Sequence, residues 1–100
     1  MAFKLRPAAD RDLEDIYHYS VSEWGEDRAD RYIRDLETTF RKLDTGELHA
    51  RKADQISPGL KAYRVASHMV FFRPEDYGIL IIRVLHRRMD YEQNLVDNLP

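Results

Sequence analysis

Two amphipathic helical stripes separated by a single glycine constrain this chain more than any other feature. Leu13, Ile16, Tyr17, Val21 and Trp24 recur at spacings of three and four after Pro7, the pattern of a helix with one apolar face. Ala29, Tyr32, Ile33, Leu36, Phe40 and Leu43 repeat the pattern after Gly25. Pro7 suits a first helical turn, with Asp10 and Asp12 near the positive end of the helix dipole, and Gly25 suits a C-terminal cap. So short a connection makes the two helices an antiparallel hairpin, whose joint apolar face must be covered by another layer. Tyr17, Trp24, Tyr32 and Phe40 fall at helical spacing and are expected in the core. Asp27 with Arg31, Asp30 with Arg34 and Glu37 with Arg41 are acid-then-base pairs four apart, which mark a solvated face.

The covering layer is a sheet. Ala2 to Arg6 alternates as a half-buried strand does, and after Gly46 periodicity dissolves into a loop through about Gly59. Leu60 to Val65, His68 to Arg73 and Ile79 to His86 are short β-rich runs. Tight turns at Ala66-Ser67 and Pro74 to Gly78 join them into an antiparallel meander. The order β-α-α-β-β-β describes an α+β fold, one domain over residues 1–100, with a helical hairpin on one face of a small, mainly antiparallel sheet. On the last strand strict alternation sends Leu80, Ile82 and Val84 toward the helices, where Tyr32, Ile33, Leu36 and Phe40 would meet them. Ile79, Ile81, Arg83, Leu85 and Arg87 then point away, beside Met69, Phe71 and Arg73 on the middle strand and Leu60, Ala62 and Arg64 on the first of the three. That outer face reads as an apolar surface studded with guanidinium groups, suited to a partner. Met89 to Leu99 is a polar tail carrying Leu95, Val96 and Leu99, with room for one or two helical turns.

Charge and composition narrow the function. Sixteen Lys and Arg against eighteen Asp and Glu give a net charge of −2, so direct nucleic-acid binding, which draws on an excess of cations, is not expected. The balance is uneven: residues 1–50 carry eight basic and twelve acidic side chains, whereas Arg51 to Arg88 carry eight basic and three acidic. One cationic patch for an acidic partner fits that distribution. The absence of Cys excludes disulfides, thiol nucleophiles and thiolate metal sites, and the four His show no ligand spacing, so no metal or other cofactor is expected. No apolar run approaches the ~20 residues of a membrane span, and the N-terminus does not resemble a signal peptide. A cytoplasmic protein is expected.

Pro7-Ala8-Ala9, Asp12-Leu13, Ile16-Tyr17, Trp24-Gly25 with Ala29 and Tyr32, Pro58-Gly59-Leu60 and finally Arg83-Val84-Leu85-His86-Arg87-Arg88-Met89-Asp90 together resemble the ParE toxins of the ParE/RelE superfamily. The resemblance spans nearly the whole chain, and the final run is its most specific part. It implies a bacterial toxin that inhibits DNA gyrase by binding and is neutralised by a ParD-type antitoxin whose C-terminal segment wraps it. The outer sheet face, with Arg64, Met69, Phe71, Arg73, Ile81, Arg83, Leu85 and Arg87, is then the expected antitoxin surface. The segment after the last strand, Arg88, Met89, Asp90 and Tyr91, is the expected gyrase-directed part.

The RelE branch instead cleaves messenger RNA on the ribosome with clustered cations and a Tyr near the C-terminus. Lys61, Arg64, Arg83 and Arg87 could serve, but the surroundings of Lys61 lack paired lysines, and Tyr91 lies earlier than the usual terminal Tyr. His86 reads as structural rather than as an acid–base catalyst. No catalytic residue is assigned, with ribosome-dependent RNA cleavage or a non-toxic binding module of the same fold as the other readings.

Overall fold

A computed structural model describes residues 2–95 of the chain. Strand β1 (Ala2–Leu5) runs directly into helix α1 (Pro7–Trp24), which turns at Gly25 into α2 (Glu26–Thr45). There follow β2 (Arg51–Lys52), β3 (Lys61–Val65), β4 (His68–Glu75), β5 (Gly78–His86) and a short α3 (Tyr91–Leu95). The sheet order is β1-β5-β4-β3-β2, with β1 parallel to β5 and every other pair antiparallel. The α+β order expected from periodicity holds, with β2 added in the expected loop and α3 as the helical turn of the tail. Val96 and Leu99 of the expected tail lie outside the described residues.

Glycine makes two of the joints. Gly25 adopts φ +91° and its N–H donates to the Val21 carbonyl at 2.9 Å, ending α1 and starting α2 in one residue, which a side chain would strain. At Gly78 a Cβ would overlap the Ala2 carbonyl oxygen. The parallel β1–β5 pairing therefore requires Gly there.

The helices cover one face of the sheet. Ile16, Leu36, Phe40 and Leu43 pack with Val70, Phe72, Ile79, Ile81 and Val84, flanked by Tyr32, Ile33, Tyr63 and Val65. The strict alternation expected for β5 fails midway: Phe72 stands opposite Ile81 and Phe71 opposite Arg83, so Ile82 has no partner. This bulge reverses the parity of the strand. Ile79 and Ile81 face the helices, Leu80 and Ile82 face away, and only Val84 of the expected inward trio lies against the hairpin.

Leu60, Ala62, Met69, Phe71 and Leu85 do share the outer face. That face, however, is not open. Ala53 and Ile56 of the loop before β3, with Tyr91 and Leu95 of α3, close over it as a second apolar cluster. Met69, Phe71 and Leu85 are buried beneath this cover, and Ile81 is buried under the helices. None of these four is a surface residue of the folded chain: the outer face that holds Met69, Phe71 and Leu85 is itself covered, and Ile81 lies on the helix side.

Candidate functional site

β1 covers β5 only as far as Ile81, whose carbonyl accepts from Arg6 N–H at 3.0 Å. Beyond that point Asp12, on the second turn of α1, takes the place of a neighbouring strand. Its Oδ2 accepts from Val84 N–H at 2.9 Å and from Arg83 Nε at 2.6 Å, and its Oδ1 accepts from Arg83 Nη2 at 2.8 Å. Arg83 Nη1 donates to the Asn94 carbonyl at 3.1 Å, tying α3 to the same edge. Hydrogen bonding to Asp12 raises the Arg83 pKa above its ordinary value. Arg83, expected at a partner surface, is committed to a bidentate internal ion pair.

The other expected arginines remain accessible to different degrees. Arg64 is exposed, and its Nε donates to the Ala66 carbonyl at 3.0 Å. Arg73 is half-buried, its Nη2 donating to Ser57 Oγ at 3.2 Å. Arg87 is exposed, and its N–H donates to the Ser67 carbonyl at 2.8 Å. Arg64 by its side chain and Arg87 by its backbone thus both bond the β3–β4 turn, while Arg73 sits apart on β4. Arg88, Met89 and Asp90 form an exposed turn after β5, fixed by Arg88 N–H to His86 Nδ1 (3.1 Å) and Met89 N–H to the His86 carbonyl (2.9 Å). Met89 is 39% exposed. Tyr91 is half-buried, its ring edge-on to Phe71 at 5.0 Å, so it belongs to the cover of the second core.

The same end of the molecule holds a groove of ≈ 660 Å³ between the hairpin tip and the ends of β4 and β5. Tyr19 and Trp24 stand on its rim, 61% and 51% exposed. Their rings meet edge-on at 6.3 Å, and the Arg28 guanidinium lies 4.9 Å from the Trp24 centroid. Trp24, expected in the core, falls outside it because α1 continues past the end of the sheet before Gly25 turns the chain. Within the groove Tyr32 and His68 bond through the hydroxyl and Nδ1 at 2.7 Å, and the His68 and His86 rings are 5.4 Å apart. Burial, with the neighbouring His86, lowers the His68 pKa to about 4, while burial pushes Tyr32 up to about 12. Among the described residues no group of three or more His, Asp or Glu could hold a metal ion.

Periodicity overlooked this groove because none of its rim residues breaks a helical pattern. Pairing β4 with β5 outward from the Pro74–Gly78 turn would set His68 opposite Leu85, and only the unpaired Ile82 brings His86 there instead, so the histidine pair had no signal in the sequence.

The family model for the "ParE toxin of type II toxin-antitoxin system, parDE" matches residues 3–91. The chain belongs to the ParE toxin family. Toxin ParE1 of Mycobacterium tuberculosis is 35% identical over 94 residues, covering 93% of this chain and 96% of the relative. Toxin ParE of Escherichia coli is 34% identical over 99 residues, covering 98% and 96%, and Toxin ParE1 of Caulobacter vibrioides is 31% identical over 93 residues, covering 93% and 96%. A solved chain from the chromosomal ParDE system of P. aeruginosa superposes with a TM-score of 0.72 at 22% identity, over 86% of this chain and 95% of that one. The fold of this ParE-family chain is therefore that of the solved system. No helix among its described residues is long and apolar enough to cross a membrane.

Proposed function

We propose that this ParE-family toxin inhibits DNA gyrase in the bacterial cytoplasm by binding it, without catalysis of its own, and that a ParD-type antitoxin holds it inactive. Family membership across residues 3–91 carries the reading. The exposed turn Arg88-Met89-Asp90, hydrogen-bonded to His86, supplies a projecting contact for a large partner. Arg64 and Arg87, exposed together at the β3–β4 turn, are the antitoxin contacts, where guanidinium–carboxylate pairing is strong once water is excluded.

The test uses purified full-length protein. It should block supercoiling by gyrase or trap cleaved DNA on it, and stoichiometric antitoxin should restore activity. Met89→Ala should weaken inhibition while leaving the melting temperature unchanged, because Met89 packs in neither core. Arg87→Ala should weaken the antitoxin complex more than Arg34→Ala, remote on α2. Codon-specific cleavage of ribosome-bound messenger RNA by the purified chain would overturn the gyrase reading.

A further inference from the structure

The groove at the hairpin tip is lined unlike a seat for a partner helix. Its walls carry three aromatic rings, two imidazoles and two guanidinium groups, and its only aliphatic side chain is the Ala66 methyl. The apolar surface of the groove is supplied by aromatic rings, where an amphipathic helix with aliphatic anchors would find no aliphatic side chain but that methyl. Planar groups dominate instead, and planar ligands stack on them.

The Tyr19 and Trp24 rings are the most exposed large apolar groups among the described residues. Set at 90° to one another, they form an open corner, with Arg28 over Trp24. Arg31 lies one turn further along α2, still within the groove lining. The opposite wall is the Ala66-Ser67 turn, held by Arg64 and Arg87. His86 Nδ1 accepts from Arg88 N–H, so a neutral His86 carries its proton on Nε2 as a donor. Asp35, the one carboxylate in the lining, offers acceptor oxygens of the kind that exocyclic amino groups recognise.

We propose that this groove binds one or two nucleotides of a single-stranded nucleic acid, with a base stacked on the Tyr19–Trp24 corner and phosphate held by Arg28, Arg31 and His86. Aromatic platforms beside a cationic wall are how single strands are held without sequence readout. The net charge of −2 opposes coating of long nucleic acid, but a site of one or two nucleotides depends on the local cations. The groove volume of ≈ 660 Å³ falls in the range of small-ligand sites, ~300–1,000 Å³. The inference does not depend on gyrase being the target.

Trp24 is the sole tryptophan of the chain, so its fluorescence reports the site directly. Titrating the full-length protein with short oligothymidylate at low salt should give saturable quenching that weakens as salt rises. With a labelled oligonucleotide, anisotropy should show affinity falling about tenfold or more in Trp24→Ala and in Arg28→Ala/Arg31→Ala, while Arg34→Ala binds as the parent does. These side chains are exposed, and unchanged circular dichroism would show that the variants fold. Oligouridylate of the same length identifies whether RNA or DNA is the better strand, and binding of either supports the site. Absence of quenching by both overturns the proposal. Equal affinity for poly-glutamate would assign the groove to an acidic protein segment, and equal affinity for a duplex would reduce it to general charge attraction; either result also overturns it.

Discussion

The two faces of one sheet are covered in opposite ways. Against the first lie two long helices whose apolar stripes were written into the sequence with a period near 3.6, and side chains as large as Phe40 and Leu36 are fully buried there. Against the second lie a loop and five residues of helix, carrying Ala53, Ile56, Tyr91 and Leu95. Both surfaces exclude water. Only the first cover was recognisable by pattern, because a loop and a single helical turn are too short to express a period. An apolar, Arg-bearing strand face is therefore insufficient evidence of a docking surface when an aperiodic tail follows it.

The largest effect is expected on the helical side. Phe40→Ala removes a fully buried ring that meets Phe3 edge-on at 5.3 Å and should cost about 3–5 kcal/mol. An unchanged midpoint of chemical denaturation would show that the hairpin does not carry the main core. Asp12→Ala strikes a connection serving both faces, since Asp12 holds Arg83 and the Val84 amide while Arg83 holds the Asn94 carbonyl. Removing one partner of a largely buried pair typically costs about 3–5 kcal/mol. Here some exposure, 15% for the Arg83 side chain and 11% for Asp12, places the expectation at the lower end. Faster amide exchange in α3 as well as in β5 would confirm that the link spans the sheet.

Leu95→Ala sharpens the contrast. Leu95 is fully buried, and its loss should cost about 2 kcal/mol, the low end for a buried Leu, because a terminal turn can detach without opening the helical side. Hydrogen exchange should rise over α3 and the 53–60 loop while α2 stays protected. Exchange rising equally in α2 would merge the two cores into one cooperative unit. For the same reason truncation after Arg88 should expose Met69, Phe71 and Leu85 and lower solubility.

A smaller effect comes from pH. His68 has a folded pKa near 4, below its ordinary 6.5, so between those values the unfolded chain binds more protons than the folded one. Stability from this group is complete above about pH 6.5 and declines as pH falls toward 4. His68→Gln should flatten that part of the denaturation profile, and an unaltered slope would show that the imidazole is not responsible. The smallest change is expected from Ala66→Gly. Ala66 holds φ +51° in the β3–β4 turn, a region costing a non-glycine residue about 1 kcal/mol, offset by the greater freedom of Gly in the unfolded chain. The melting temperature should move little and upward.

Local rules determined the elements of this protein. Helical stripes, Pro7, Gly25 and the turns at Ala66-Ser67 and Pro74 to Gly78 are properties of neighbours along the chain, and they suffice for the α+β order and the hairpin on one sheet face. The motif ending in Arg-Val-Leu-His-Arg-Arg-Met-Asp placed it in its family for the same reason. The tertiary structure alone decided which side chains are accessible. The β5 bulge arises from strand register, so it exchanged Leu80 and Ile82 for Ile79 and Ile81 without any mark in the composition. Arg83 pairs with Asp12 across 71 positions, and α3 folds back over Met69, Phe71 and Leu85. Both are long-range contacts whose free energy appears only when distant segments are already in place. The exposure of Trp24 belongs with them: its spacing is that of a core residue, and only the length of α1 relative to the sheet carries it past the edge to the groove.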